Sequence, residues 1–179
     1  MDGIAKSSDA NVVYMPTSIF ELMKATGNTP TSLECANKKK YVRADVERWV
    51  QAYQLPWRRN EHFRTIDLKF LLRAAVAAIK LDVGPPFVSK TFDGLFAQSL
   101  NLGDAAILRE YLENAGLPGR QIVDLAGADA TVQDLDHRTR LAAEKGLFGV
   151  PSFVVGSEVF FGNDRLDFVA AAATSNVQA

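Results

Sequence analysis

The first apolar run along the chain is NVVYM at residues 11–15, which stops at Pro16 and is the one strand candidate before residue 150. Residues 17–31 carry Thr, Ser, Gly, Asn and Pro and read as irregular, with room for a helical turn at 19–23. From about Asn37 the spacing changes. Val42, Val46, Trp49, Val50 and Tyr53 recur on one face of a 3.6-residue period, and Pro56 ends that helix. Residues 65–82 form a second helix, apolar around most of its circumference through Leu68, Leu71, Leu72, Val76 and Ile79, the pattern of a buried helix. Pro85 and Pro86 break it and open a third helix over 86–100. Asp104 is placed to cap a fourth, with Ile107, Leu108, Tyr111 and Leu112 inside it and Gly116 closing it. A short helix at 119–126 follows, then a longer one from a cap at Asp129 to Lys145, with Gly146 in the C′ position.

Beyond Gly146 the period shortens to that of strands. Pro151 stands directly before the β-rich run 152–155, residues 156–158 (GSE) read as a tight hairpin turn, and 159–161 is the return strand. Gly162, Asn163 and Asp164 then open a last helix. A proline ahead of a strand removes a ladder donor. It leaves the backbone of Val150 free to pair with something other than the protein's own sheet, which is one way an extended peptide ligand is held. No repeat, low-complexity tract or linker interrupts the order of strand, helices, hairpin and helix.

Composition narrows the field. A chain of 179 residues is long enough for a real core. With 20 Lys+Arg against 21 Asp+Glu there is no electrostatic case for nucleic acid. The N-terminus lacks the apolar core of a signal peptide, and the most apolar run, residues 70–81, is too short for a bilayer and is interrupted by Arg73 and Lys80. A membrane partner is therefore not expected. Cys35 is the only cysteine and makes no internal disulfide. These features point to a soluble cytoplasmic protein.

Few residues carry chemistry on their own. Asn163 and Asp164 are explained by helix capping and the helix dipole, and equally by receipt of the ammonium of a small peptide lying along Val150. Lys38, Lys39 and Lys40 are either a solvated helix face or an anion site, since cations in a first turn oppose the dipole by roughly 0.3–1 kcal/mol each. Gly27 and Asn28 read as a turn. His62 and His137 lack metal-ligand spacing, so no metal site is expected, and no phosphate-binding or dinucleotide fingerprint is present.

Four stretches together carry a family resemblance: KATGN at 24–28, the Lys-rich segment before Tyr41, Glu47-Arg48-Trp49, and GLFGVPSFVVGSEVFFGNDRL at 146–166. Over residues 12–171 the chain resembles the 2-hydroxychromene-2-carboxylate isomerases, of the kappa-class glutathione transferase and DsbA-like branch of the thioredoxin superfamily. The resemblance implies an α/β, thioredoxin-like fold with an inserted all-helical domain. The thioredoxin part would comprise 1–32 and 127–179, and the insert 33–126. It implies that Pro151 is cis and that glutathione is the cofactor. Val150 would pair with the cysteinyl backbone by strand addition, Asn163 and Asp164 would meet the γ-glutamyl end, and Asn28 and Lys38 would complete the site. Lys38 keeps the family's offset from the tyrosine but is one residue late counted from Asn28. The implied reaction is cis–trans isomerisation of a small acidic, aromatic-derived substrate by reversible thiolate addition, and a homodimer is in keeping with the family.

The chain also departs from that pattern. Family members begin with a strand, a Ser-Pro loop and a helix ahead of the strand matching residues 12–15, and the loop serine helps keep the glutathione sulfur ionised. Only eleven residues stand in that place, and Ser7 and Ser8 lie too close to Val12 for a helix to follow them. The first strand and helix of the core are thus expected to be missing, along with the catalytic serine. The expected remedies are a natural start further upstream, residues 2–6 or a partner filling the strand position, or closure of the neighbouring strands. The competing expectation is a non-catalytic glutathione- or peptide-binding module. A thiol–disulfide oxidoreductase is set aside, because there is no Cys-x-x-Cys.

Overall fold

The computed structural model describes residues 2–30 and 34–177. The chain divides into two compact units, one made of residues 1–28 and 137–179 and the other of residues 29–136. The boundary expected at 32/33 lies outside the described residues.

In the second unit, α3 (Ala36–Ala52) is followed by α4 (Leu68–Lys80), α5 (Gly84–Phe96), α6 (Ala105–Asn114), α7 (Gly119–Ala126) and the first half of α8 (Asp129–Glu144). Helix α4 is the centre of this unit. Phe70, Leu71, Ala74, Ala77 and Ala78 are buried against Phe87, Leu102, Leu108, Leu112, Ile122 and Ala126. The alanines permit close packing of α4 on α7. Asp67 starts α4 by accepting the Phe70 N–H at 2.9 Å, and Asp104 starts α6 by accepting those of Ala106 and Ile107 at 2.9 and 3.2 Å. Pro85 and Pro86 occupy the first turn of α5, where a missing N–H costs nothing. The turn into α7 needs Gly119, because a Cβ there would run into the Arg109 carbonyl of α6.

Two expectations are corrected here, and one reading is sharpened. Helix α5 ends at Phe96, short of residue 100, because its last carbonyls are drawn into a loop contact: Phe96 C=O accepts from Arg58 N–H and Leu95 C=O from Asn60. Asp129 is inside α8 and not its cap, since the Ala128 carbonyl accepts the Thr131 and Val132 N–H groups; Asp129 still suits the positive end of the dipole. The apolar face of α3 is present, but among the described residues it is only partly covered. No residue of α3 is buried, Val42 and Val46 are more than a third exposed, and Trp49 stacks on Tyr53 of the same turn at 5.4 Å.

In the first unit, α1 (Asp2–Ser8) packs on α9 (Leu166–Val177), and α9 packs on β1 (Ser152–Val155). Helix α2 (Ile19–Ala25) buries Leu22 completely. The Ser18 N–H donates to the buried Thr139 Oγ1 at 3.1 Å, which fastens the start of α2 to the second half of α8. Strand β1 pairs antiparallel with β2 (Glu158–Phe161), with Ser152 opposite Phe161 and Val155 opposite Glu158. The turn is therefore the two residues Gly156 and Ser157, with Gly156 at φ +58°, as a type II′ hairpin turn requires.

The strand expected at 11–15 does not form. Among the described residues the sheet has two strands, β1 and β2, and residues 11–15 form no regular secondary structure, Val13 being 83% exposed. A strand exists only through its neighbours' N–H and C=O groups, and residues 2–6, one candidate to supply them, lie in the helix Asp2–Ser8.

Candidate functional site

Two helix ends build the site. Helix α2 closes with Thr26 at the C-cap and Gly27 at φ +68°. Gly27 N–H reaches Lys24 C=O at 3.5 Å and Asn28 N–H reaches Met23 C=O at 2.9 Å, the bond pair of a Schellman motif. Helix α8 closes in the same way: Gly146 at φ +79°, its N–H on Ala143 C=O at 2.9 Å, and Leu147 N–H on Ala142 C=O at 3.0 Å. The two ends meet, because Asn28 Nδ2 donates to Phe148 C=O at 2.8 Å, across 120 residues of sequence.

From Phe148 the chain enters the cis Val150–Pro151 bond. Ser152 Oγ donates to Gly149 C=O at 2.7 Å and bridges the bend, while Gly162 N–H donates to Pro151 C=O at 3.0 Å and extends the hairpin past its ladder. Val150 is 47% exposed, and among the described residues neither its N–H nor its C=O is used. Gly149 is buried under the Phe161 ring, where a Cβ would come within 2.8 Å of the ring edge, and Phe148 packs on the same ring at 4.9 Å between centroids.

After β2, Gly162 at φ +102° turns the chain into a 3₁₀ turn, Asn163–Arg165, that leads into α9. Asn163 is not the N-cap; Gly162 holds that place and no side chain caps the turn. The Asp164 carboxylate is half exposed and accepts from Arg165 Nη1 at 2.8 Å. Thus Asn28, Val150, Pro151, Asn163 and Asp164 all belong to the first unit; Asn28 is bonded to the loop at Phe148, and Asn163 and Asp164 follow Gly162, which is bonded to it at Pro151. Lys38 is an exposed residue of α3 in the other unit.

Sequence reasoning missed Gly149, Phe161 and Gly162. The glycines were readable as turn residues, but their neighbours were not. Gly27 and Asn28 read as a turn, but nothing in the sequence shows that the turn aims Asn28 at Phe148.

A small antiparallel hairpin backed by a C-terminal helix, entered through a cis-proline loop, defines a thioredoxin-like protein. The chain belongs to the DSBA-like thioredoxin domain family, whose model matches residues 1–173. It is 29% identical over 167 residues to a 2-hydroxychromene-2-carboxylate isomerase of Sphingobium xenophagum, a match covering 93% of this chain and 84% of that one. It is 26% identical over 166 residues to the protein of the same name from Pseudomonas sp. (strain C18), covering 91% and 76%. The solved structure of a selenomethionine 2-hydroxychromene-2-carboxylate isomerase superposes with a TM-score of 0.85 over 99% of this chain and 86% of that one, at 20% identity, and so shares the fold. Among the described residues no helix is long and apolar enough to cross a membrane.

Proposed function

We propose that this chain is a glutathione-dependent isomerase acting on a small acidic, aromatic-derived substrate of the 2-hydroxychromene-2-carboxylate class. The observation that carries the reading is the unused backbone of Val150 on a braced, exposed cis-proline loop. An N–H and a C=O left unused on one exposed residue suit the backbone of a cysteinyl peptide. The names of the relatives support the reaction class. When bound, glutathione supplies a thiol that adds reversibly to a conjugated double bond, leaving a single bond free to rotate before elimination.

The residues of this chain would hold and orient that peptide. Val150 would fix the cysteinyl backbone, Asn163 would add amide contacts beside the loop, and Asp164 would take an ammonium group after exchanging its contact with Arg165. That surface pair is a weak obstacle, worth about 0–1 kcal/mol. The test is interconversion of the chromene carboxylate and its open isomer, followed by absorbance with and without millimolar glutathione. Turnover only with glutathione is expected. Glutathione-independent turnover, or none together with no heat of glutathione binding, would sink the reading.

One observation favours a second reading, binding without turnover. The hydroxyls of Ser7 and Ser8 both donate to Ile4 C=O within α1, at 3.0 and 2.7 Å, so neither proton is offered to a sulfur. On that reading calorimetry detects glutathione while the absorbance assay stays flat.

A further inference from the structure

Among the described residues Arg73 is the one cation drawn out of water without a partner, and we propose that it marks a binding site for a small monocarboxylate in the helical unit. Of the 20 lysine and arginine residues, all but Arg73 and Arg138 are exposed, and Arg138 is engaged by a partner. Arg73 is partly buried on α4, and its Nε–H is shut off from solvent and meets no acceptor. No described residue forms a hydrogen bond or an ion pair with its guanidinium. Lys80, two turns further along α4, shows the contrast, since its ammonium meets Asp134 at 3.0 Å. What Arg73 does have is aromatic: its Cζ lies over the Phe70 ring, 5.9 Å from the centroid. Val76 and Ala77, one turn ahead, are apolar and fully buried, and α4 contains no acidic residue. No charge on its own helix can therefore neutralise it, and an arginine cannot discharge itself by losing a proton. A desolvated cation without a counter-charge is costly, and a bound anion removes that cost. The planar fork of a guanidinium matches the two oxygens of a carboxylate. Apolar surroundings favour a singly charged anion on an apolar body over a strongly hydrated dianion. The contact with Phe70 orients the fork before any ligand arrives. This site belongs to the helical unit and needs nothing from the glutathione reading.

Benzoate is the probe, with benzamide as its neutral counterpart and inorganic phosphate as the dianion. Each is titrated against the full chain while the Arg73 Nε–H resonance is followed by heteronuclear NMR, and benzoate affinity is measured again in Arg73→Met and Arg73→Lys. The resonance is expected to shift saturably with benzoate, to stay still with benzamide, and to respond to phosphate only at much higher concentration. Arg73→Met is expected to bind benzoate about 10- to 100-fold more weakly, the range of hydrogen bonds to a charged group. Arg73→Lys keeps the charge but loses the fork, and is expected to fall between the two. Without ligand, Arg73→Met is expected to unfold in urea no earlier than the unaltered chain, because it removes an uncompensated charge and keeps an apolar stem. Benzoate is expected to raise the urea midpoint of the unaltered chain and to leave that of Arg73→Met where it was. An unmoved Arg73 resonance at tens of millimolar benzoate would overturn the proposal, as would equal benzoate affinity in Arg73→Met or benzamide binding as well as benzoate. Phosphate binding as tightly as benzoate would overturn the carboxylate assignment. An Arg73→Met chain clearly less stable than its parent without ligand would show that the guanidinium serves the fold through Phe70 instead.

Discussion

Replacing Asn60 by alanine removes a buried side chain that ties together three backbone groups of the helical unit. Asn60 is 4% exposed, and its amide serves three backbone groups. Nδ2 donates to Leu95 C=O at 2.9 Å and to Leu100 C=O at 2.8 Å, and Oδ1 accepts from His62 N–H at 2.8 Å. These bonds hold the loop between α3 and α4 against the end of α5, where Arg58 N–H also donates to Phe96 C=O and Trp57 stacks on Phe96 at 5.2 Å. Three bonds at about 0.5–1.5 kcal/mol each put the loss near 2–4 kcal/mol, a large part of a domain stability of about 5–15 kcal/mol. Asn60→Asp is the sharper variant. It keeps the acceptor for His62 but sets a carboxylate against two carbonyls, so it is expected to lose at least as much as Asn60→Ala. Urea unfolding followed by tryptophan fluorescence reads both, since Trp57 lies in the same corner. A loss under about 1 kcal/mol for Asn60→Ala, or an Asn60→Asp chain as stable as the parent, would refute the assignment.

Two further outcomes follow from the packing. Tyr111 has its hydroxyl proton held up to about 12, first by burial and then by its hydrogen bond and proximity to Asp93. Because the folded value is raised above the ordinary tyrosine value of about 10, the stability it contributes is whole below about pH 10 and is lost as pH rises through 12; the advantage of the parent over Tyr111→Phe in urea is expected to shrink across that window, and a constant difference would count against it. Gly149→Ala pushes a methyl group into the Phe161 ring edge, 2.8 Å away. The half-exposed ring can swing outward, so stability is expected to fall by only about 1 kcal/mol while glutathione affinity falls further; unaltered affinity in calorimetry would show that the Phe148–Phe161 pair does not shape the loop.

Much of the fold was legible wherever a local signal sufficed. Asp104 caps α6 and Gly146 closes α8 because each acts on backbone groups within a few residues of itself. Pro85, Pro86 and Pro151 mark element starts for the same reason: a missing N–H and a restricted φ are properties of the residue alone. The apolar circumference of α4 correctly marked a buried helix, although Ala74, Ala77 and Ala78, more than the leucines at its margins, proved to be the closest-packed positions.

The candidate site was legible in part. The motif at 146–166 marked the loop, but Asn28 could not be linked to Phe148 by any periodicity, since the bond spans 120 residues and depends on two helices ending side by side. The same limit explains the errors. NVVYM at 11–15 has strand composition and no strand, because a ladder needs neighbours that lie elsewhere in the chain. The stripe on α3 has the period of a core face, yet none of its residues is fully buried, because periodicity states which residues share a face and not whether another element lies against it. The sequence by itself determined several helix ends, the hairpin and the family, because these are written in short-range stereochemistry and motif. Tertiary structure alone decided which apolar faces found partners and which side chains brace the proline loop, because those depend on where distant segments come to rest.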